Sequence, residues 1–218
     1  MDLSKNKFGG SEVNMLRILN RYWQNQFLKT RIVLMLDHVQ VVSHPDYGIV
    51  KMDEQACHQY ADFLTQTISW SRLMERIRNP DCAGFLAICK RTGEAAGYEW
   101  CVVSDTKMYR HDKFAVPLQY GLLFHAFVHA NHRNKGVFRA IKSQAGRYLL
   151  EERGCKKVLS VVESLNTASL KANDKLGSQV YGKNYLVKCF GRNLWSVTKA
   201  PTGITIDYVG SGKKSRNL

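Results

Sequence analysis

Residues 120–177 constrain this chain more than any other stretch, because the hydrophobic period changes there in a fixed order. Tyr120–Ala130 is an apolar run bounded by polar Asn131 and His132, which reads as a buried strand. From Val137 the apolar residues Val137, Ile141, Ala145, Tyr148 and Leu149 recur at three- and four-residue spacings, the pattern of a helix with one buried face. Gly154 is placed to cap that helix. Lys157–Glu163, KVLSVVE, returns to a strand, and Asn166 with Thr167 opens a second helix that ends at Gly177.

The chemistry of this unit lies in its first loop, Asn131–Gly136, NHRNKG. A helix that starts just after a glycine presents unpaired N–H groups and the positive end of its dipole. Arg133 and Lys135 add formal charge to that anion site, and Gly136 lets a phosphate approach the backbone. The loop therefore offers a cradle for a pyrophosphate. The chain has neither GxxxxGK[ST] nor GxGxxG, so an ATP P-loop and a dinucleotide fingerprint are both excluded.

Arg133–Phe138, RNKGVF, resembles the R/Q-x-x-G-x-G/A loop of the GNAT acetyltransferase superfamily, which binds the coenzyme A pyrophosphate. Asn166, Ala168, Ser169 and the Lys175–Leu176–Gly177 ending resemble that family's second motif, N-x-x-A/S-x-x-x-Y-x-K-x-G-F, and the likeness covers about residues 83–190. It implies an α/β (α+β) acyl-CoA N-acyltransferase fold, a twisted, mixed, mostly antiparallel sheet flanked by helices. It implies acetyl-CoA or another acyl-CoA as co-substrate, held by Phe127, Val128, Arg133, Asn134, Lys135, Gly136, Val137, Phe138, Asn166 and Ser169. Backbone N–H groups near Phe127 and Val128, where the family's strand bulges and splays, would serve the thioester carbonyl, and Asn166 would contact the pantetheine arm. Three positions depart from the pattern. Phe138 replaces a small loop residue, Asn173 replaces the Tyr that protonates the leaving thiolate, and Ser178 replaces a Phe.

Composition narrows the class further. A chain of 218 residues with 44% hydrophobic and 23% charged residues suits one well-cored domain. No apolar run reaches the ~18 residues of a membrane span, and MDLSKNKFGG has no apolar signal core, so a cytoplasmic protein is expected. Six cysteines without a CxxC pair argue against a disulfide framework or a zinc site. His125 and His129 would share a face of a regular strand, but no acidic or Cys ligand lies close in sequence, and no metal is expected. The net charge of +14 suits anionic ligands. Coenzyme A, a sugar nucleotide, an acidic acyl carrier protein and nucleic acid all fit it, although no nucleic-acid-binding motif is present.

Along the rest of the chain, residues 1–30 read as a helical extension. Glu12–Phe27 carries the stripe Val13, Leu16, Leu19, Trp23 and Phe27, expected to be core. The acyltransferase domain is expected over 31–200, with Arg31–Leu36 as its first strand and His44–Gly48 as a turn. Asp53–Arg78 is helical in pattern, with a break at Ser69–Ser71. Ala83–Lys90 and Ala95–Val103 form a hairpin through Arg91–Glu94, and Ser104–Val116 is a polar connection. Gln179–Phe190 and Asn193–Lys199 form a terminal hairpin turning at Gly191–Arg192, and 201–218 is expected to be a flexible basic tail.

The expected activity is acetyl-CoA-dependent N-acetylation of a primary amine on a small molecule such as an amino sugar or sugar nucleotide. Two alternatives stand beside it: a long-chain N-acyltransferase fed by an acyl carrier protein thioester, and a non-catalytic basic module on a degenerate scaffold. A homodimer is compatible with either enzyme. Acyl transfer needs a neutral amine, a donor for the developing oxyanion and a proton for the thiolate. Glu99, inside an apolar strand, is one candidate base if it is desolvated; the other reading faces it to solvent. His125 is a second candidate and Glu163 a weaker one, while Tyr181 or Tyr185 would protonate the thiolate in place of a residue at 173.

Overall fold

The computed structural model describes residues 19, 22–23, 27–104, 109–111, 114–190, 192–201 and 203–208. The chain divides into two compact units, Ile32–Tyr181 and a smaller one of Met1–Arg31 with Gly182–Leu218. The larger unit begins within β1 (Leu28–Leu36) and continues with β2 (Tyr47–Lys51), β3 (Cys82–Cys89) and β4 (Ala95–Val103). A separate hairpin follows, β5 (Tyr109–His111) with β6 (Phe114–Val116), inside the stretch expected to be a plain connection. Then come β7 (Tyr120–Val128) and β8 (Lys157–Glu163).

The main sheet of this unit has the order β1-β8-β7-β4-β3-β2. β2, β3, β4 and β7 are antiparallel neighbours, and β7 pairs with β8 in parallel. A parallel pair needs a crossover, and α4 (Val137–Arg147) supplies it. The expected mixed, mostly antiparallel sheet flanked by helices is what forms. Val137, Ile141, Ala145, Tyr148 and Leu149 are all buried, against Phe85, Ala87, Cys101, Val103 and Leu123 of the sheet. Each large apolar side chain buried here stabilises by about 1.5–3 kcal/mol. A π-helical turn, Tyr148–Glu152, prolongs α4 and closes at Gly154, whose φ of 64° suits glycine.

Elsewhere the boundaries shift. The region expected as helix broken at Ser69–Ser71 forms α1 (Glu54–Gln59), α2 (Ala61–Leu64) and α3 (Trp70–Arg78), with Ser69 as the N-cap residue of α3. The turn expected at His44–Gly48 is shorter, because Tyr47 and Gly48 pair with Cys89 and Ile88 as the start of β2. β1 lies beside β8 at one end of this unit's order, and β2 lies at the other. α5 (Thr167–Asp174) starts as expected, with Asn166 Oδ1 accepting from Ser169 N–H at 3.1 Å.

The smaller unit holds most of β9 (Gln179–Cys189), then β10 (Arg192–Ala200) and β11 (Gly203–Tyr208), in an antiparallel meander. Residues 201–218 are therefore not all tail: Ile204 and Ile206 fall on a paired strand, and residue 202 and the part from 209 on lie outside the described residues. Asn184 Nδ2 joins β9 to β10 by donating to Ser196 Oγ (2.8 Å) and Thr198 Oγ1 (2.9 Å). Most of the Glu12–Phe27 helix lies outside the described residues; within it Leu19 and Trp23 are helical but exposed, against the expectation of core.

Candidate active site

The site is built around an irregular strand. β4 and β7 pair in register from Val103↔Gly121 to Trp100↔Phe124, then shift, so that His125 and Ala126 together oppose Glu99 before Tyr98↔Phe127 resumes. This is a β-bulge, with His125 at φ 51°. It lies two residues before the Phe127–Val128 position implied by the resemblance. On the other edge, pairing with β8 stops at Leu123↔Ser160, while β7 runs on to Val128 and β8 to Glu163. The two strands part, and a gap opens between them.

Backbone alternation decides which donors face that gap. His129 N–H donates to Ala96 O at 3.0 Å, on the β4 side. The neighbouring peptide must point the other way, so Val128 turns its N–H and C=O into the gap. Arg133 Nε donates to that Val128 carbonyl at 3.0 Å. Phe127 presents its amide to β4, and its ring packs on Phe63 and Tyr98 (centroids 5.8 and 5.9 Å).

Beyond Val128 a short 3-10 turn, Ala130–His132, leads into the loop. Asn134 (φ 61°) and Gly136 (φ 81°) are both left-handed, and Gly136 is the N-cap residue of α4. No side chain caps the helix, and no acidic residue stands in its first turn. Uncapped amides beside two cations, Arg133 and Lys135, fit a diphosphate. Val137 is buried in the core, while Phe138 is half-buried with Lys142 Nζ 5.4 Å from its ring centre. The larger residue at 138 therefore leaves the left-handed glycine and the helix start in place.

The two candidate bases lie on opposite faces of the sheet. Glu99 faces α4, where Lys142 Nζ meets its Oε1 at 3.4 Å; both side chains are 2% exposed. Burial pushes the Glu99 carboxyl above its usual range, and the Lys142 ammonium pulls it part of the way back. The solvent-facing reading of Glu99 is excluded. Its Oε2 makes no hydrogen bond.

His125 faces the other side with Tyr98, at a ring separation of 5.6 Å. Arg76 Nη1 donates to its Nδ1 at 2.7 Å. Burial first, and Arg76 second, lower the His125 pKa to about 4, against an opposing backbone hydrogen bond at Thr67. Arg76 also lies over the rings of Trp100 (5.4 Å) and Phe124 (4.9 Å). The bulge turns consecutive residues, Phe124 and His125, toward this one guanidinium. It also undoes the pairing of His125 with His129 on a regular face, since His129 packs instead on His132 (6.1 Å). Among the described residues no three metal-ligating side chains come together.

Tyr181 sits in the first residues of β9, 9% exposed, and no described ring contact or hydrogen bond joins it to Glu99 or His125. Asn173 is fully buried and donates through Nδ2 to Ser169 O at 2.8 Å and to Ser169 Oγ at 3.4 Å, while its Oδ1 accepts from Ser160 Oγ at 3.5 Å. The side chain at 173 thus ties α5 to itself and to β8.

A cleft of about 560 Å³ opens on the His125 face, lined among others by Gln59, Asp62, Phe63, Glu94, His129 and His132. Phe63 reaches Tyr98 and Phe127, so the cleft leads toward the parted end of β7. In a chain of net charge +14 its lining holds two carboxylates and neither Lys nor Arg. Burial and the nearby Lys135 and His129 lower the His132 pKa. Sequence reasoning did not single out Arg76, because α3 carries no motif, nor the joint lining of the cleft, which comes from three separate segments.

The sequence matches the Acetyltransferase (GNAT) family over residues 49–177. The chain belongs to the GNAT acetyltransferases. The match opens inside β2, so β1 stands outside it. A tandem GNAT protein from the clavulanic acid biosynthesis pathway is similar in fold, at TM-score 0.53 and 16% identity over 84% of this chain and 59% of that one. So is a GCN5-related N-acetyltransferase from Sphaerobacter thermophilus, at TM-score 0.53 and 14% identity over 81% and 55%. An aminoglycoside N-acetyltransferase in complex with CoA aligns at TM-score 0.48 and 22% identity over 60% and 90%. No curated protein matches the sequence. No helix among the described residues is long and apolar enough to cross a membrane.

Proposed function

We propose that this GNAT acetyltransferase moves an acetyl group from acetyl-CoA to a primary amine of a small cationic molecule, an amino sugar fitting better than a sugar nucleotide. The observation that carries the reading is the gap between β7 and β8, which opens beside the uncapped, left-handed Gly136 loop. Arg133, Asn134, Lys135 and Gly136, with the first amides of α4 at Val137 and Phe138, would hold the diphosphate. Asn166 and Ser169, at the start of α5, would flank the pantetheine arm. Acetyl-CoA supplies a thioester carbonyl open to attack by an amine. The Val128 N–H, aimed into the gap, would donate to the thioester oxygen as charge develops there, a contribution of the oxyanion-hole kind.

Asp62 and Glu94 support the choice of acceptor. They would draw an ammonium into the cleft and disfavour a second diphosphate. Tyr98, His125 and Arg76 share the face of the sheet on which the cleft opens, with Phe63 of the cleft packed on Tyr98. His125, with its Nδ1 accepting from Arg76, would position the bulge. Tyr181 is retained as the candidate donor to the thiolate.

The test is calorimetric titration with coenzyme A, followed by acetyl transfer to amino sugars and to their nucleotide-linked forms. Micromolar binding that Gly136→Trp abolishes, and turnover faster on the free amino sugars, is the expected result. Asp62→Asn with Glu94→Gln should raise KM for the cationic acceptor about tenfold. Absence of coenzyme A binding by the native chain would end the reading, and preference for the nucleotide-linked forms would end the choice of acceptor.

A further inference from the structure

We infer that His44 and Tyr47 are positioning residues for the phosphate loop, bracing it from a segment that lies outside the family match; the inference rests on the coenzyme A site proposed above. His44 Nε2 and the Lys135 carbonyl oxygen stand 2.5 Å apart. Asp46 N–H donates to His44 Nδ1 at 3.2 Å, so Nδ1 is the acceptor nitrogen of the ring and Nε2 carries the hydrogen. His44 therefore donates to Lys135 O.

A trans peptide unit is planar, and its C=O and N–H point in opposite directions. Holding the Lys135 carbonyl against His44 thus aims the Gly136 N–H away from His44. It also keeps a partly negative oxygen off any anion in the cradle. Such a restraint matters at this position, because the loop alternates left-handed residues at Asn134 and Gly136, and glycine adopts either sign of φ readily. The imidazole covers Gly136 as well: a Cβ there would meet His44 Nε2 at 3.4 Å and Cδ2 at 3.5 Å.

The brace is itself anchored. Lys90 Nζ donates to the carbonyls of His44 (3.2 Å) and Pro45 (2.8 Å), tying the segment to the end of β3. Tyr47 is buried at the start of β2, and its Oη shares a 2.8 Å hydrogen bond with His132 Nδ1. His44 and Tyr47 stack edge to face at 4.8 Å, and Tyr47 meets the His132 ring at 5.6 Å. Contacts at His132 and Lys135 therefore bracket the two residues between them, Arg133 and Asn134. The match begins at residue 49, so both bracing side chains lie just outside it.

The experiment measures coenzyme A affinity by calorimetry and the KM and kcat for acetyl-CoA in the native chain, His44→Ala, His44→Gln and Tyr47→Phe, with the melting temperature of each in the absence of ligand. His44→Ala should raise Kd and KM about tenfold with kcat nearly unchanged, since one hydrogen bond holding the loop carbonyl is lost. His44→Gln, whose amide can still donate to Lys135 O, should recover most of that loss. Tyr47→Phe should show a smaller rise of the same kind. Native binding of coenzyme A with unaltered Kd in His44→Ala would overturn the brace while leaving the site intact, as would His44→Gln failing to improve on His44→Ala. A native chain that does not bind coenzyme A would overturn the site reading and the brace with it.

Discussion

The two faces of β4 carry buried polar groups of different kinds. Under α4, Glu99 and Lys142 form a dry ion pair, each 2% exposed, with one carboxylate oxygen unsatisfied. On the other face Tyr98, Thr67, His125 and Arg76 form a hydrogen-bonded set beside the cleft, and His125 and Arg76 are only partly buried. The first arrangement is closed to a substrate. The second lies where β7 bulges and parts from β8. Neighbouring residues of one strand, 98 and 99, thus serve different ends, and burial alone does not mark a catalytic carboxylate.

The sharpest way to break this contrast is to remove half of the ion pair. Glu99→Ala or Lys142→Met alone leaves a charge buried without its partner and should cost about 3–5 kcal/mol, read as a lower urea midpoint. The double variant Glu99→Leu with Lys142→Met should recover most of that stability. A double variant that folds but no longer transfers an acetyl group would return Glu99 to the chemistry and dissolve the distinction between the faces.

A smaller effect separates the faces by pH. The His125 pKa falls from 6.5 to about 4 on folding. The unfolded chain therefore takes up the proton first as the solution is acidified. The stabilisation is complete above about pH 6.5 and is lost as the pH falls toward about 4. His125→Asn should flatten that part of the melting-temperature profile, whereas the double variant at 99 and 142 should leave it unchanged. An identical acid slope in His125→Asn would show that the histidine is not held neutral at the bulge.

The smallest expected effect is that of Tyr98→Phe, which removes one hydroxyl paired with Thr67. A loss of about 1 kcal/mol is the ordinary value for one such hydrogen bond. A loss several times larger would mean that the Tyr98 hydroxyl anchors the whole His125 face.

The parts of this molecule legible in the sequence are those set by local pattern. The stripe from Val137 to Leu149 reports a helix because 3.6-residue spacing puts those residues on one side. KVLSVVE reports β8 at its observed bounds, and Gly136, Gly154 and Gly177 mark left-handed positions in the structure. The anion-binding character of the loop follows from the same short stretch. Expectations failed where a strand is defined by its partner. Tyr47–Lys51 has turn-like residues at its start but pairs with β3, and Ile204 and Ile206 join β10 in what composition marks as tail.

The sequence by itself determined the strand, helix, strand, helix order over residues 120–177, and that a basic glycine loop opens the central helix, because these depend on residues within a turn or two of each other. Only the tertiary structure decided the bulge at His125–Ala126, the burial of Glu99 against Lys142 and the contact of His44 with Lys135. Each depends on register or packing between residues 26 to 91 positions apart. Such pairings are selected by the burial and hydrogen bonding of the whole sheet, and a one-residue shift in strand pairing exchanges the faces of every side chain involved.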